Sequence, residues 1–363
     1  MSTTAYSIAV LPGDGIGREV IGAALHVLHA AAARAGRRLH TTTHPAGAQH
    51  YLDSGVALPQ ATLDACRAAD AILFGAMGLP HVRASDGTEI IPQLDLRFAL
   101  DLYAGVRPIR SFAGLPGPLA DPRAAQIDLV LVRESTEGLF HARGRGRIEG
   151  EGDAQAACDT MKITRAGTAR VCDFALRLAR RRRAQGRPGR VTNVDKANVF
   201  ASMAFWRQVF DERARRFADV PVEHAYVDAM ALNLVMKPWA YDVLVTENMF
   251  GDILSDLIAA LAGGMGMAPS ADIGERYALF QPAHGTAPDI AGQGVANPTA
   301  TILSAAMMLD WLAERHADSA LADAARAIES ALAAAFAAGA ARPREFGGSS
   351  STADIVHAVV ARL

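Results

Sequence analysis

The chain has 363 residues, half of them hydrophobic, enough to bury a large core and more than one small domain needs. Its 36 basic and 38 acidic residues nearly cancel, so no global field favours nucleic acid or an anionic membrane, and any anion must be held locally. Three widely separated cysteines, Cys66, Cys158 and Cys172, have no metal-ligand spacing and read as reduced thiols of a cytoplasmic protein.

In chain order, residues 8–11 read as a buried strand that turns at Pro12-Gly13, with no basic leader before it. Residues 18–33 carry Ile21, Leu25 and Leu28 at helical spacing, with Gly36 as the stop. The glycines between them, Gly13-Asp-Gly-Ile-Gly17, lack the G-x-G-x-x-G spacing and mark a turn, not a usual Rossmann fingerprint. Further apolar strands at 71–74, 129–132 and 243–245 alternate with helical patterns, which predicts an α/β fold with a mainly parallel central sheet flanked by helices. The Gly-, Arg- and Glu-rich stretch 143–153 suits an exposed arm or hairpin. An arginine run over 180–190 follows the helical stretch 168–179 and reads as a solvated helix C-terminus whose cations complement the dipole. The apolar stretch 300–309 is interrupted by Ser304 and stopped by Asp310, so it does not span a membrane. An alanine-rich segment over 317–341 has helical character, and no repeat or linker marks a domain boundary.

Chemistry concentrates in a few places. Asp252 and Asp256 stand four apart ahead of an apolar run, so on a helix both carboxylates share one face. A helix cap plus a solvated acid is the bland alternative. Asp228, in Tyr226-Val-Asp228, adds a third acid, and three carboxylates without nearby His or Cys suit Mg2+ or Mn2+ rather than zinc. Arg97, Arg107 and Arg133 form the complementary set, because guanidinium forks grip carboxylates bidentately; a small dicarboxylate is the implied ligand. Lys196 follows a strand-like run and could take a proton if its surroundings lower its pKa. The loop His284-Gly285-Thr286-Ala287-Pro-Asp289, with Asn297 beyond it, offers N–H groups to a phosphate and side chains to a ribose and an adenine.

Taken together, residues 11–17, Arg97, Val106-Arg-Pro108, Val132-Arg-Glu134, Asp195-Lys-Ala-Asn198, Tyr226-Val-Asp228, residues 250–256, residues 284–289 and Ala296-Asn-Pro298 resemble the β-decarboxylating dehydrogenases of the isopropylmalate/isocitrate dehydrogenase family. The resemblance implies a two-domain α/β fold in which residues 1–102 and 263–363 bind the cofactor, while 103–262 bind substrate and make a homodimer. It also implies a malate-type hydroxy-acid substrate held by Arg97, Arg107 and Arg133, and a metal on Asp252 and Asp256 with Asp228 from the other subunit. Lys196 would likewise cross the interface, so the active sites would be shared. In the implied reaction Lys196 helps remove the C2 hydroxyl proton, the C2 hydride passes to nicotinamide, and the keto acid loses its β-carboxylate. Asp289 can accept from the adenosine ribose hydroxyls and would repel a 2′-phosphate, so the cofactor expected is NAD.

The sequence departs from the family at several points. Phe140 stands where the family has the tyrosine that protonates the enol, and Gln281 replaces a usual glutamate near the nicotinamide. Either another donor, such as His141 or water, serves, or the reaction needs no assisted protonation. The substrate-selecting stretch reads Ile90-Ile-Pro-Gln93-Leu94: its apolar residues disfavour a third carboxylate, whereas Gln93 spoils a purely apolar pocket. The best expectation is a 3-isopropylmalate dehydrogenase-like enzyme; a tartrate or D-malate dehydrogenase and a weakly catalytic regulatory member are the alternatives.

Overall fold

A computed structural model describes residues 5–363, which divide into two compact units. The first comprises the residues up to Leu102 with Ser111–Ala125 and Ala259–Leu363; the second is Tyr103–Arg110 with Gln126–Ile258.

The chain opens in the first unit with β1 (Ala5–Gly13), α1 (Gly17–Arg34), β2 (Arg38–Thr43), α2 (Ala48–Ser54), α3 (Gln60–Ala68), β3 (Ala71–Ala76) and α4 (Pro92–Ala99). β1 pairs in parallel with β2 and with β3. Ala9, Leu11, Ile72 and Phe74 meet Cys66 of α3 and Leu96 of α4 in one buried cluster, and α1 packs on the same three strands. Strands covered by helices need apolar side chains throughout, which is why β3 reads as an unbroken hydrophobic run.

The second unit begins with β4 (Ala104–Arg110) and β5 (Asp128–Glu134), an antiparallel pair. There follow a small exposed hairpin, β6 (Arg147–Glu149) and β7 (Ala156–Cys158), then α5 (Arg165–Ala184), β8 (Val191–Asp195), α6 (Ala201–Ala214), β9 (Val222–Tyr226), α7 (Val227–Met236), β10 (Val243–Thr246) and α8 (Asn248–Leu261). The strand order is β4-β5-β10-β8-β9, and every pair after the first is parallel. The hairpin lies where the glycine-rich stretch predicted one. The arginine run at the end of α5 is less solvated than expected: Arg182 is nearly buried and bridges Asp128 and Asp242, and Arg180 pairs with Asp219. These cations anchor the helix to neighbouring elements, beyond complementing its dipole.

The chain then returns to the first unit as β11 (Pro269–Ile273), β12 (Ala278–Pro282), α9 (Thr299–His316), α10 (Ser319–Ala337) and α11 (Thr352–Val360). β12 joins β3 in parallel and β11 in an antiparallel turn, completing the order β2-β1-β3-β12-β11. Segment 111–125 also belongs to this unit, through the edge contact of Phe112 with Phe336 on α10. No described helix is long and apolar enough to cross a membrane.

Asp318 ties three of these elements together. It accepts from Tyr6 Oη at 2.8 Å and from Arg37 Nε and Nη2 at 2.6 and 2.8 Å, and it receives the Ala320 N–H at the start of α10. The Arg37 guanidinium holds its carboxyl down at about 2, while burial and the Asp318 contact push the Tyr6 phenol up to about 12. Because the folded value of Asp318 lies below the unfolded one, its contribution is complete above about pH 4 and disappears as pH falls through about 2. Asp318→Asn is therefore expected to cost on the order of 1 kcal/mol at neutral pH. Thermal melts should show the gap to the parent chain closing between about pH 5 and about pH 2.

Candidate active site

In the second unit the chemically distinctive residues gather where parallel strands end. β5 finishes on Arg133-Glu134, β8 runs into Lys196, β9 into Asp228, and β10 into Glu247-Asn248 and α8. Carboxyl ends of parallel strands are where α/β proteins collect their ligands, because side chains from different strands converge there on polar loops.

Arg133 is the centre of this region. It is 2 % exposed, its Nε donates to Asn248 Oδ1 at 2.8 Å, and its Nη1 is ion-paired with Asp252. Phe140 lies beneath the guanidinium, with the ring centroid 4.9 Å from Cζ. This ring offers a π face and no proton. His141, the proposed substitute donor, already takes an N–H from Arg145 at 2.7 Å; burial first, then Arg145 and Lys162, lower its pKa.

Asp252 and Asp256 project from α8 one turn apart, as the spacing predicts. α8 begins at Asn248, so Asp252 is in its second turn and does not cap it. The start of α8 is instead held by buried Glu247, which accepts the Phe250 and Met249 N–H groups. Burial, and then the Asp252 carboxylate, raise the Asp256 carboxyl above its ordinary range, against the pull of Arg107 and Arg133. Two half-exposed acids that repel one another suit a hard divalent cation, which would neutralise both.

Asp228 is not gathered with them: among the described residues no three His, Cys, Asp or Glu side chains form a metal-binding group. It sits in the first turn of α7 and accepts from Lys196 Nζ at 2.5 Å, and this contact lowers its carboxyl below the ordinary range. Within one chain the acids form two groups, two on α8 and one beside Lys196.

In the first unit, α4 carries Gln93 and Arg97 four residues apart on one face, with Leu94 buried beside them. Arg97 is 5 % exposed, and its Nε lies 3.1 Å from Asp272 Oδ2. The loop after β12 meets the early glycine turn: Ile16 N–H donates to Thr286 O at 2.8 Å, and a Cβ at Gly15 would stand 2.1 Å from that oxygen. Asp14 fixes the turn by accepting the Ala48, Gln49 and Gly78 N–H groups. His284 places Nδ1 2.8 Å from Gly285 O, and burial lowers its pKa; its buried Nε2 has no partner among the described residues, so a neutral ring presents an acceptor. Ala287 adopts a φ of +35°, and Asp289 is exposed. Asn297 is turned inward, its Oδ1 accepting from Thr299 N and its Nδ2 donating to Glu345.

The sequence reading missed Asn248, Glu247, Asp14 and Asp272. Asn248 and Glu247 shortly precede the acid pair, a usable signal; the other two gave none, because the partners of Asp14 are 34 to 64 residues away and those of Asp272 lie on another strand and a helix.

The family match decides what these residues belong to. The model described as isocitrate/isopropylmalate dehydrogenase matches residues 7–359. The chain belongs to this family. Among its relatives, the 3-isopropylmalate dehydrogenase of Pseudoalteromonas translucida is 42 % identical over the whole of both chains. The 3-isopropylmalate/3-methylmalate dehydrogenase of Methanocaldococcus jannaschii is 40 % identical over 99 % of each. The crystal structure of isocitrate dehydrogenase from Methylococcus capsulatus superposes with a TM-score of 0.84 at 37 % identity, covering 98 % of this chain and 99 % of that one.

Gly251 tests how tightly the Arg133 cluster is packed. A Cβ there would lie 2.7 Å from Arg133 Cβ and Cγ, whereas one at Gly22 in α1 would meet nothing within 4 Å. Gly→Ala in a helix ordinarily stabilises by about 1 kcal/mol. Gly22→Ala should follow that rule in denaturant melts, and Gly251→Ala should be destabilised instead.

Proposed function

We propose that the protein is an NAD- and divalent-metal-dependent dehydrogenase that oxidises and decarboxylates 3-isopropylmalate. The supporting observation is the buried Arg133 joined to the α8 acid pair, in a chain whose relatives at 40–45 % identity are named 3-isopropylmalate dehydrogenase. Those names do not favour the tartrate, D-malate or regulatory alternatives.

In this reading Arg97, Arg107 and Arg133 bind the substrate carboxylates, with Gln93 and Leu94 facing its side chain. Asp252 and Asp256, with Asp228 of a second copy, would hold Mg2+ or Mn2+, which would supply Lewis-acid polarisation at the substrate, and NAD would supply the hydride acceptor. Lys196 Nζ, steadied by Asp228, relays the hydroxyl proton. His284 Nε2, the 285–287 backbone and Asp289 would hold the cofactor's adenine, phosphates and ribose, on a loop that Asn297 braces from within. The unit that includes residues 284–297 is the cofactor domain, and the other is the substrate and dimerisation domain.

The homodimer is part of the proposal. Val199, Phe200, Leu232 and Met236 are at least half exposed on the elements that carry Lys196 and Asp228. Apolar side chains in that density beside charged residues suit a covered face. We place the enzyme in the cytoplasm, in keeping with its free thiols.

Incubated with 3-isopropylmalate, NAD and Mn2+, the protein should form NADH and carbon dioxide in equal amounts; no turnover would overturn the reading. Asp252→Asn should lower kcat by about 10²-fold or more. Shared sites predict complementation: mixed and reassembled Lys196→Ala and Asp252→Asn chains, each inactive alone, should recover up to about a quarter of the parent activity. Phe140→Tyr restores a phenol beside Arg133 and should raise kcat for decarboxylation by about tenfold or more if protonation limits turnover.

A further inference from the structure

Asp272 lies within the first unit, on β11, and is fully buried. β11 and β12 pair antiparallel with Ser270 opposite Gln281 and Asp272 opposite Leu279, so Asp272 and Gln281 are diagonal neighbours on one face. Gln281 Nε2 donates to Asp272 Oδ2 at 2.8 Å, and Arg97 Nε lies 3.1 Å from the same oxygen. Ser304 of α9 fastens both strands from below: its Oγ donates to Gln281 O at 2.7 Å and accepts the Ser270 N–H at 3.2 Å.

We propose that Asp272 is a positioning residue for the reaction: it sets the Arg97 guanidinium for the substrate carboxylate, and Gln281 holds the Asp272 carboxylate in place. The inference rests on the reading of Arg97 as a substrate group. The contact is an ion pair: the carboxylate draws the Nε edge of the planar guanidinium toward β11, which biases its two Nη groups away from that strand. A buried guanidinium without that counter-charge is costly and free to turn away. The glutamine at 281 follows from the same geometry. A glutamate there would set a second carboxylate against Asp272, whereas the amide donates to it. One acid and one amide are required across the two strands, and which strand carries the acid is secondary.

The test is steady-state kinetics on the full chain with 3-isopropylmalate, NAD and Mn2+. Asp272→Asn should raise KM for 3-isopropylmalate on the order of tenfold, with kcat and KM for NAD within about threefold of the parent. Gln281→Glu should raise it similarly. The exchange Asp272→Asn with Gln281→Glu restores one acid and one amide, and should bring KM back to within about threefold. A purely structural role would lower thermal stability in all three without this split between KM and kcat and without rescue. An unchanged KM in Asp272→Asn overturns the proposal, and so does a double variant that is unfolded or no better than the single ones. Arg97→Lys separates the two levels: if it leaves KM unchanged, the substrate role of Arg97 fails; if it raises KM while Asp272→Asn does not, the positioning role alone fails.

Discussion

A buried guanidinium must be paired on nearly every side, and much of the second unit's arrangement follows from satisfying Arg133. Its Nε requires an acceptor, and Asn248 supplies one at the first position of α8. Its Nη1 finds Asp252 one turn later, and the apolar face of the guanidinium rests on Phe140. Because α8 starts directly after β10, and β10 pairs with β5, the sheet register brings the arginine to the helix. Thr246 is opposite Arg133 in that register, so Asn248 and Asp252 arrive from the neighbouring strand end. The close approach also requires Gly251, the one residue type that leaves room for the arginine's own stem.

The same constraint recurs in the first unit with a different solution. Arg97 is buried on α4 and is met by an acid from a strand, Asp272, which is itself steadied by an amide. In both cases a carboxylate from another element is set against one edge of the guanidinium. Pre-orientation of this kind lowers the entropy lost when a carboxylate ligand binds.

The two acids of α8 and the acid of α7 show how electrostatics divides labour. Asp256 is pushed toward its neutral form by burial and by Asp252, and Asp228 is stabilised as a carboxylate by Lys196. The first pair gains from any added cation; the second is already compensated by its lysine. Within one chain the two groups stay apart, and exposed apolar side chains lie beside Lys196 and Asp228.

The sequence by itself determined what depends on near neighbours along the chain. Apolar runs gave the parallel strands, the four-residue spacing of Asp252 and Asp256 gave their common face, and the glycine-rich stretch gave the exposed hairpin; local periodicity is enough for each. The joint order of motifs gave the family. Tertiary structure decided the rest, because it turns on partners distant in sequence. It closed the Arg97–Asp272–Gln281 chain, turned Asn297 inward to brace α9, drew the arginines of α5 into ion pairs and joined Lys196 to Asp228 across 32 residues. No pattern in the sequence marks Asp272, since a single acid in an apolar strand acquires meaning only from what the adjoining strand and a helix from the other end of the chain place against it.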